Sequence, residues 1–326
     1  MPRSSTGTAT TAEPGGRRDG ATGTPGKPYR GRFAPSPTGP LHFGSLLAAA
    51  GSWLDARAAG GEWLLRIEDI DPPREPAGAA EEILRTLESA GLWWDGPVLR
   101  QSTRGAAYEA ALEKLSREGW AYPCTCSRKQ IEAENTRRGL AGARLYPGTC
   151  RRRSGRPPAG TSFALRLRTT SARIRFIDRL QGEFGQFLER ETGDFIVRRR
   201  ERYFAYQLAV TVDDAAQGIT DVVRGIDLLD STPRQLWLQR LLGFAEPRYL
   251  HLPVVAFPDG QKLSKQSGAE AVNPAAAGAL AWDVLECLGQ HPPAELRRAP
   301  AAELWSWGVS HWNPQQLHGV RSIPPP

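Results

Sequence analysis

The sequence predicts an α/β fold, a parallel sheet with helices on its faces, interrupted by an inserted lobe and followed by a short helical segment. Three observations predict it. Short apolar strands alternate with helical stretches through residue 119 and again from residue 195. Between about Trp120 and Asp194 that rhythm gives way to a polar stretch rich in arginine, with three cysteines. From Asn273-Pro274 onward the pattern is helical, with Trp282, Leu285, Trp305, Trp307 and Trp312 supplying apolar bulk.

Residues 1–28 are largely Ser, Thr, Gly, Pro and Ala, with almost nothing to bury, and are expected to be disordered. They hold neither the amphipathic face of a transit peptide nor the apolar run of a secretory signal, so the cytoplasm is the expected location. Arg30 to Ala34 reads as a short strand that runs into the Pro/Gly-rich turn from Pro35 to Pro40. An apolar, Ala-rich helix then opens near His42 and carries Leu46, Leu47, Trp53 and Leu54. Strand, rigid turn and helix start together make an anion site, because unpaired backbone N–H groups and the positive helix end face outward. Thr38 and His42 add side-chain donors, and Gly44 leaves room for a flat ring against the backbone. Read alone, the stretch is equally a βα turn that is rich in Pro and Gly.

After Gly60-Gly61, residues Trp63 to Ile67 form a buried strand ending in Glu68-Asp69-Ile70-Asp71. Acidic groups there sit where open α/β sheets bind ligands, and are also ordinary turn residues ahead of Pro72-Pro73. Helices follow at Ala80 to Ala90 and Arg104 to Glu118, stopped by Gly91 and Gly119. The inserted stretch carries Cys124-Thr125-Cys126, Tyr146, Cys150 and Arg151-Arg152-Arg153, with alternating strands at Phe163 to Arg168 and Arg173 to Ile177. Phe195 to Tyr206 returns to the sheet domain, with Arg198-Arg199-Arg200 beside Tyr203-Phe204. A helix bearing Tyr206 and a strand from Ile219 to Val223, ending at Arg224-Gly225, come next. Thr232-Pro233-Arg234-Gln235 predicts a capped helix start, with Thr232 as cap, Pro233 at the first helical position and Gln235 closing a capping box. Leu252 to Val255 reads as a strand, Pro258-Asp259-Gly260 as a turn, and Lys262-Leu263-Ser264-Lys265 as a polar loop whose lysines alone are ordinary solvated charges. Ile323 to Pro326 is expected to fray. The partition is a tail (1–28), two halves of the sheet domain (29–119 and 195–268), an inserted lobe (120–194) and a helical C-terminal segment (269–326).

A chain of 326 residues is long enough for a large domain with an appendage. Its 40% hydrophobic and 24% charged content are those of a globular protein, and no apolar run reaches membrane-spanning length. The net charge of +7 and a pI near 9.5 favour an anionic partner; the tail holds +2 of that charge, leaving +5 for the remainder. Four cysteines (Cys124, Cys126, Cys150, Cys287) do not make a disulfide framework in a chain this long, and Cys287 in the helical tail reads as a small core residue.

The stretch Pro37 to Ser45 resembles the HIGH signature of class I aminoacyl-tRNA synthetases, and Lys262-Leu263-Ser264-Lys265-Gln266 is similar to their KMSKS loop. More narrowly, Arg32 to Gly39, Leu65-Arg66-Ile67-Glu68-Asp69, Val223-Arg224-Gly225 and Ser231 to Gln235 resemble blocks of the glutamyl/glutaminyl subgroup, in the family's order, from about Tyr29 to Ser267. The resemblance implies a Rossmann-type catalytic domain, activation of an amino acid by ATP to an aminoacyl-adenylate, and transfer to tRNA. It places the glutamate site at Arg32, Phe33, Ala34, Pro35, Ser36, Glu68, Tyr206 and Arg224. Arg32 and Arg224 would pair with carboxylates through their bidentate forks, Ser36 and Tyr206 would hydrogen-bond the substrate, and Glu68 would take the α-ammonium. It places ATP, with Mg2+, at Thr38, His42, Gly44 and Lys265. His42, Lys262 and Lys265 would be catalytic, Lys265 stabilising the α-phosphoryl group as pyrophosphate leaves. This sequence departs from the signatures in Ser45 for the final His, Leu263 for Met and Gln266 for the final Ser.

After the lysine loop only about sixty residues remain, fewer than an ordinary anticodon-binding domain requires. Cys124-x-Cys126 and Tyr146-x3-Cys150 resemble the zinc site of the truncated paralogues that load glutamate onto the queuosine base of tRNA(Asp). In that family zinc is held by the Cys124, Cys126, Tyr146 and Cys150 positions, the anticodon domain is absent, and the anticodon stem-loop of tRNA(Asp) is the partner. A monomer is expected. Without the resemblance, C-x-C is a weaker metal signal than C-x2-C, and three reduced cysteines fit as well. The arginine clusters read as solvated faces, or, at Arg198 to Phe204, as a backbone clamp with a stacking platform for tRNA. Two alternatives stay open: a shortened glutamyl-tRNA synthetase that charges the 3′ end, and a glutamate- or nucleotide-binding module without turnover.

Overall fold

A computed structural model of the chain describes residues 28–140, 142, 145–153, 157–257, 259–263 and 270–326. The expected tail up to Lys27, the turn residue Pro258, and Ser264, Lys265 and Gln266 of the lysine loop lie outside the described residues. The chain opens with β1 (Arg30–Phe33), α1 (Phe43–Ala58) and β2 (Glu62–Ile67), followed by α2 (Ala79–Ser89), β3 (Leu99–Arg100) and α3 (Gly105–Arg117). β1, β2 and β3 pair in parallel, as strand–helix alternation requires. The apolar side of α1 lies on this sheet, with Leu46 and Leu54 wholly buried. A Cβ at Gly51 would stand 2.5 Å from Leu252, so glycine is what lets helix and sheet approach this closely. Gly91 and Gly119 take φ of +77° and +78° just past α2 and α3, the left-handed turn expected of both stops.

The middle of the chain contains β4 (Ala121–Cys124), α4 (Arg128–Arg137), β5 (Ala164–Leu167), β6 (Arg173–Asp178), β7 (Gly182–Phe187), α5 (Leu188–Glu191) and β8 (Phe195–Arg198). β4, β5 and β8 make a small antiparallel sheet. β6 and β7 do not join it. β6 turns Ile174 into an apolar cluster with Val222 and Tyr249 and continues the main sheet. That partner strand lies far downstream, so the alternation in β6 announces a strand without announcing its sheet.

The second half adds α6 (Tyr206–Ala216), β9 (Asp221–Gly225), α7 (Thr232–Leu242), β10 (Arg248–Leu252) and β11 (Val254–Val255). β10 lies between β9 and β6, parallel to both. β9 abuts β1: the Thr220 N–H donates to the Arg30 carbonyl (3.0 Å) and the Arg30 N–H to Thr220 Oγ1 (2.8 Å). Across the molecule the order is therefore β3-β2-β1-β9-β10-β6-β7. The connections leave β1 and β9 in opposite directions, and the gap at their carboxyl ends is where open α/β sheets place ligands.

Two local expectations fail for physical reasons. Thr232 does not cap α7; a 3-10 turn over Ile226–Ser231 runs straight into the helix, and no side chain caps it. The preceding turn covers the helix start, which leaves the Thr232 hydroxyl free for Arg224 (2.8 Å), while Gln235 donates to Gln207. The chain end does not fray at Ile323. β12 (Ser322–Ile323) pairs in parallel with β11, and the Ala256 N–H donates to the Ile323 carbonyl (2.9 Å). Ahead of β12, α8 (Ala277–Cys287) and α9 (Ala301–His311) lie on α1. There Trp305 is buried with its indole N–H on the Ala90 carbonyl (2.7 Å), and Trp305→Ala would cost about 3–5 kcal/mol.

Candidate active site

A cavity of about 400 Å³ opens at the carboxyl ends of β1 and β9, beside the start of α1. Arg32 and the turn residues Phe33, Ala34, Pro35 and Ser36 form one wall. Thr38, His42 and Gly44 line the end nearest α1. Glu68 reaches in from the end of β2, Tyr206 from the start of α6, Arg224 from β9, and Lys262 from the loop beyond β11. The residues singled out from distant blocks of sequence thus share one space because β1 and β9 are neighbours. Lys265 lies outside the described residues.

A buried set of charges underlies this wall. Arg32 Nε is 3.1 Å and Arg66 Nη2 2.8 Å from Asp214 Oδ1, and Arg66 Nη2 is 3.4 Å from Glu68 Oε1. Two guanidinium groups thereby face two carboxylates, which is what makes their burial tolerable. Burial opposes the charge of Asp214, but Arg32 and Arg66 outweigh it and hold the carboxyl below its usual range. Glu68 goes the other way. Burial pushes it up to about 7, and neither Arg66 nor Arg32 fully offsets that. A cation brought into the cavity beside Glu68 would favour its ionised form.

Arg224 is held at four points, one of them a 3.4 Å contact from Nη2 to the Leu228 carbonyl. Its Nε donates to His251 Nε2 (3.1 Å), its Nη2 to Thr232 Oγ1 (2.8 Å), and its Nη1 makes a longer contact with the Tyr206 hydroxyl (3.4 Å). His251 Nδ1 lies 2.6 Å from Asp178 Oδ2. Burial brings the imidazole down to about 4, so it is neutral near pH 7 despite the carboxylate beside it. The network then assigns the proton to Nδ1, facing Asp178, and the lone pair to Nε2, facing Arg224.

At the other end of the cavity His42 is the N-cap of α1, its Nδ1 accepting from the Ser45 N–H at 3.3 Å. Ser45, which replaces the signature histidine, puts its Oγ 3.0 Å from His42 Nε2. A Cβ on Gly44 would stand 3.3 Å from the His42 ring, so glycine preserves the place of that imidazole. The first turn of α1 points its N–H groups at this edge, a natural seat for phosphate. Lys262 Nζ is 2.6 Å from Asp227 Oδ2.

The cysteine site forms away from the cavity. The Sγ atoms of Cys124, Cys126 and Cys150 lie within 4.8 Å of one another. The Tyr146 hydroxyl is 3.3 Å from Cys124 Sγ and 3.8 Å from Cys126 Sγ. A tetrahedral zinc with bonds of about 2.3 Å sets its ligands about 3.8 Å apart, so these side chains fit a single ion. Burial opposes ionisation of Cys150, but hydrogen bonds from the Thr125 N–H, Cys126 and Tyr146 prevail and bring the thiol down to about 7. The Arg166 guanidinium sits 3.8 Å over the Tyr146 ring, with Nε 3.4 Å from Cys124 Sγ, and supports negative charge there. Cys287 is elsewhere, half-buried against the main core.

The arginine runs do not form continuous cationic faces. Arg198 pairs with Glu109 (2.9 Å), Arg200 with the Thr125 carbonyl, and Arg151 with Glu189 (2.9 Å). Arg199, Arg152 and Arg153 are exposed. Sequence reasoning missed Asp214, Asp227, Asp178 and His251, and read Thr232 as a helix cap rather than as a partner of Arg224. One signal was available: Asp213-Asp214 within an otherwise apolar helix had to find cations or donors inside the fold.

Comparison with known proteins agrees with this geometry. The family model for the catalytic domain of class I tRNA synthetases (E and Q) matches residues 29–285. A glutamyl-Q tRNA(Asp) synthetase of Dechloromonas aromatica (strain RCB) is 56% identical over 285 residues, covering 87% of this chain and 94% of its own. Its counterpart in Pseudomonas aeruginosa (strain LESB58) is 54% identical over 296 residues, covering 91% and 97%. The crystal structure of a glutamate tRNA ligase from Elizabethkingia meningosepticum CCUG26117, in complex with its amino acid, superposes with a TM-score of 0.75 at 26% identity. That match covers 90% of this chain and 66% of the ligase.

Proposed function

Because the chain belongs to the class I tRNA synthetases (E and Q), and among them to the glutamyl-Q tRNA(Asp) synthetases, we propose that it activates L-glutamate with ATP and transfers it to the queuosine base in the anticodon of tRNA(Asp). Activation proceeds without tRNA. The glutamate α-carboxylate attacks the α-phosphorus of ATP, the bond to the leaving oxygen breaks, and pyrophosphate departs with that electron pair. In the second step a nucleophile of the acceptor takes the glutamyl group and AMP leaves.

Arg224 and Arg32 receive the substrate carboxylates, Ser36 and Tyr206 hydrogen-bond the amino acid, and Glu68 takes its α-ammonium. That last pairing suits a carboxylate which burial leaves short of compensation. The backbone from Phe33 to Pro35 shapes the same wall. Thr38, His42, Gly44 and the start of α1 seat the phosphates, with Mg2+ accompanying ATP. Lys262 and Lys265 neutralise charge that develops as pyrophosphate leaves. Catalysis is then positioning plus electrostatics. Cys124, Cys126, Tyr146 and Cys150 would hold Zn2+ as a structural cross-link of the inserted lobe. The protein would act as a monomer in the cytoplasm, on the anticodon stem-loop.

The observation that carries the reading is that one cavity presents two arginines, a buried carboxylate and the positive end of α1 together. Identity to the tRNA(Asp) relatives about twice that to the glutamate ligase supports the acceptor. The likeness to that ligase favours, as second reading, charging of a tRNA 3′ end. Glutamate transfer to tRNA(Asp) with and without queuosine tests both. Strict dependence on the modified base is expected; acylation of tRNA(Glu), or indifference to queuosine, would sink the first reading. A binding module without turnover is excluded once glutamate-dependent ATP–pyrophosphate exchange is measured in the absence of tRNA.

A further inference from the structure

We infer that Asp178, His251 and Thr232 form a buried chain that positions the Arg224 guanidinium for a substrate carboxylate, although none of the three lines the cavity. The inference rests on the reading of Arg224 as a carboxylate receiver and adds the residues through which the protein fixes it.

Each link is buried: Asp178 and Arg224 are 2% and 6% exposed, His251 and Thr232 wholly enclosed. They come from β6, β10, α7 and β9, so the chain crosses the main sheet. Asp178 is immobilised first. Its Oδ1 accepts from the N–H groups of Leu180 (3.0 Å), Gln181 (2.9 Å) and His251 (3.2 Å), which leaves Oδ2 for the imidazole. A fixed carboxylate on Nδ1–H selects the tautomer whose Nε2 can accept from Arg224. The Thr232 hydroxyl accepts from Nη2 and lies 3.3 Å from His251 Nε2. Tyr249 stacks on His251 at 6.0 Å and lies 5.6 Å beneath the guanidinium, packing one ring against both groups.

The consequence lies in which edge is spent. Nε and Nη2 are committed to the protein interior, and the Nη1 edge faces Tyr206 and the cavity that Arg224 lines. An arginine on a strand has many rotamers, and holding it in one removes an ordering cost from substrate binding.

The test uses the intact protein in glutamate-dependent ATP–pyrophosphate exchange, with KM for glutamate and for ATP measured separately alongside thermal melts. In Asp178→Asn the amide donates to Nδ1, so His251 turns Nε2–H toward Arg224. KM for glutamate should rise about tenfold or more while KM for ATP stays within about twofold. His251→Leu should act likewise, and His251→Gln, which offers both an acceptor and a donor, should recover most of the loss. If Asp178→Asn does not fold, Thr232→Val carries the same measurement with one hydroxyl exchanged for a methyl. A folded variant with unchanged KM for glutamate, or equal losses for both substrates, overturns the inference. Arg224→Met separates this from the underlying reading. An unchanged KM there removes Arg224 from the glutamate site, whereas a raised KM there with normal Asp178→Asn and Thr232→Val overturns the positioning chain alone.

Discussion

The cavity at the ends of β1 and β9 and the cysteine cluster differ in what completes them. Around the cavity the protein supplies its own counter-charges: Arg32 and Arg66 face Asp214 and Glu68, and Asp178 orders His251 against Arg224. Those charges are paired within the chain itself. The cysteine cluster brings three thiols and a phenol together within a short stretch, with Arg166 as the cation beside them. Its geometry fits one added metal ion. If the first is the proposed reaction site and the second the proposed structural cross-link of the lobe, the two should fail separately.

The strongest way to break the comparison is through the phosphate chemistry proposed for the lysine loop. If its ammonium acts on charge that appears only in the transition state, as proposed, Lys265→Ala should lower kcat for ATP–pyrophosphate exchange about 10²- to 10³-fold and leave KM for ATP nearly unchanged. Equal losses in kcat and ATP affinity would contradict that role. Zinc stoichiometry should be unaffected.

Cys124→Ser attacks the other region. Bound zinc, read by a chelator assay, should fall well below one per chain, and proteolysis should accelerate within the lobe. Transfer to tRNA should drop about 10- to 100-fold while exchange without tRNA stays within about twofold, in line with losses seen when metal sites are disturbed. Full zinc in this variant would reject Cys124 as a ligand, and collapse of exchange would reject the independence of the two regions.

Glu68 gives an effect of intermediate size with a defined direction in pH. Its carboxyl is pushed up to about 7, so at pH 6 most of it is protonated and cannot pair with an α-ammonium. KM for glutamate should fall about tenfold from pH 6 to pH 8 and level off above that, and Glu68→Gln should flatten the profile at a high KM. Because the folded value is raised, the stability tied to this group is fully present below the ordinary value of 4.5 and is lost as pH rises through about 7. Glu68→Gln should therefore melt higher than the parent at pH 8 and about level with it at pH 4. A flat KM profile in the parent would remove Glu68 from ammonium binding.

The same contrast separates what could be read in the sequence from what could not. Strand, turn and helix start from Arg30 to Leu54 were legible because propensity, punctuation and apolar spacing act over a few residues. So were α2 and α3 with their glycine stops. The thiols were legible as a group because their spacing is local. Pairings across the fold were not. β6 reads as a strand from its own alternation, yet its membership of the main sheet depends on a single bridge between Asp178 and Tyr249. Thr232 carries every local mark of a helix cap and is instead drawn to Arg224, because a buried guanidinium needs acceptors more than a helix start already covered by a 3-10 turn needs a cap. Asp214 and His251 became interpretable only once β1, β9 and β10 were seen side by side.

The smallest effect is expected where the cavity region meets solvent. Arg199 is the exposed member of its run, with 47% of its side chain accessible and one contact, 3.2 Å to Asp71. Asp71 also pairs with Arg74 at 2.5 Å, so removing Arg199 leaves no carboxylate stranded. Exposed pairs of this kind contribute about 0–1 kcal/mol, and stability should hardly move. Its neighbours do not permit so clean a test, since Arg198 is tied to Glu109 and Arg200 to the Thr125 carbonyl. Arg199 also lines a small recess with Ser36 and Tyr206, which line the cavity as well. If the tRNA backbone crosses there, Arg199→Glu should weaken tRNA binding about three- to tenfold and lower the slope of log affinity against log salt by about one, leaving exchange without tRNA intact. Binding that is unchanged at low and high salt would place the backbone elsewhere, and would leave Arg152 and Arg153 on the lobe as the exposed cations to test next.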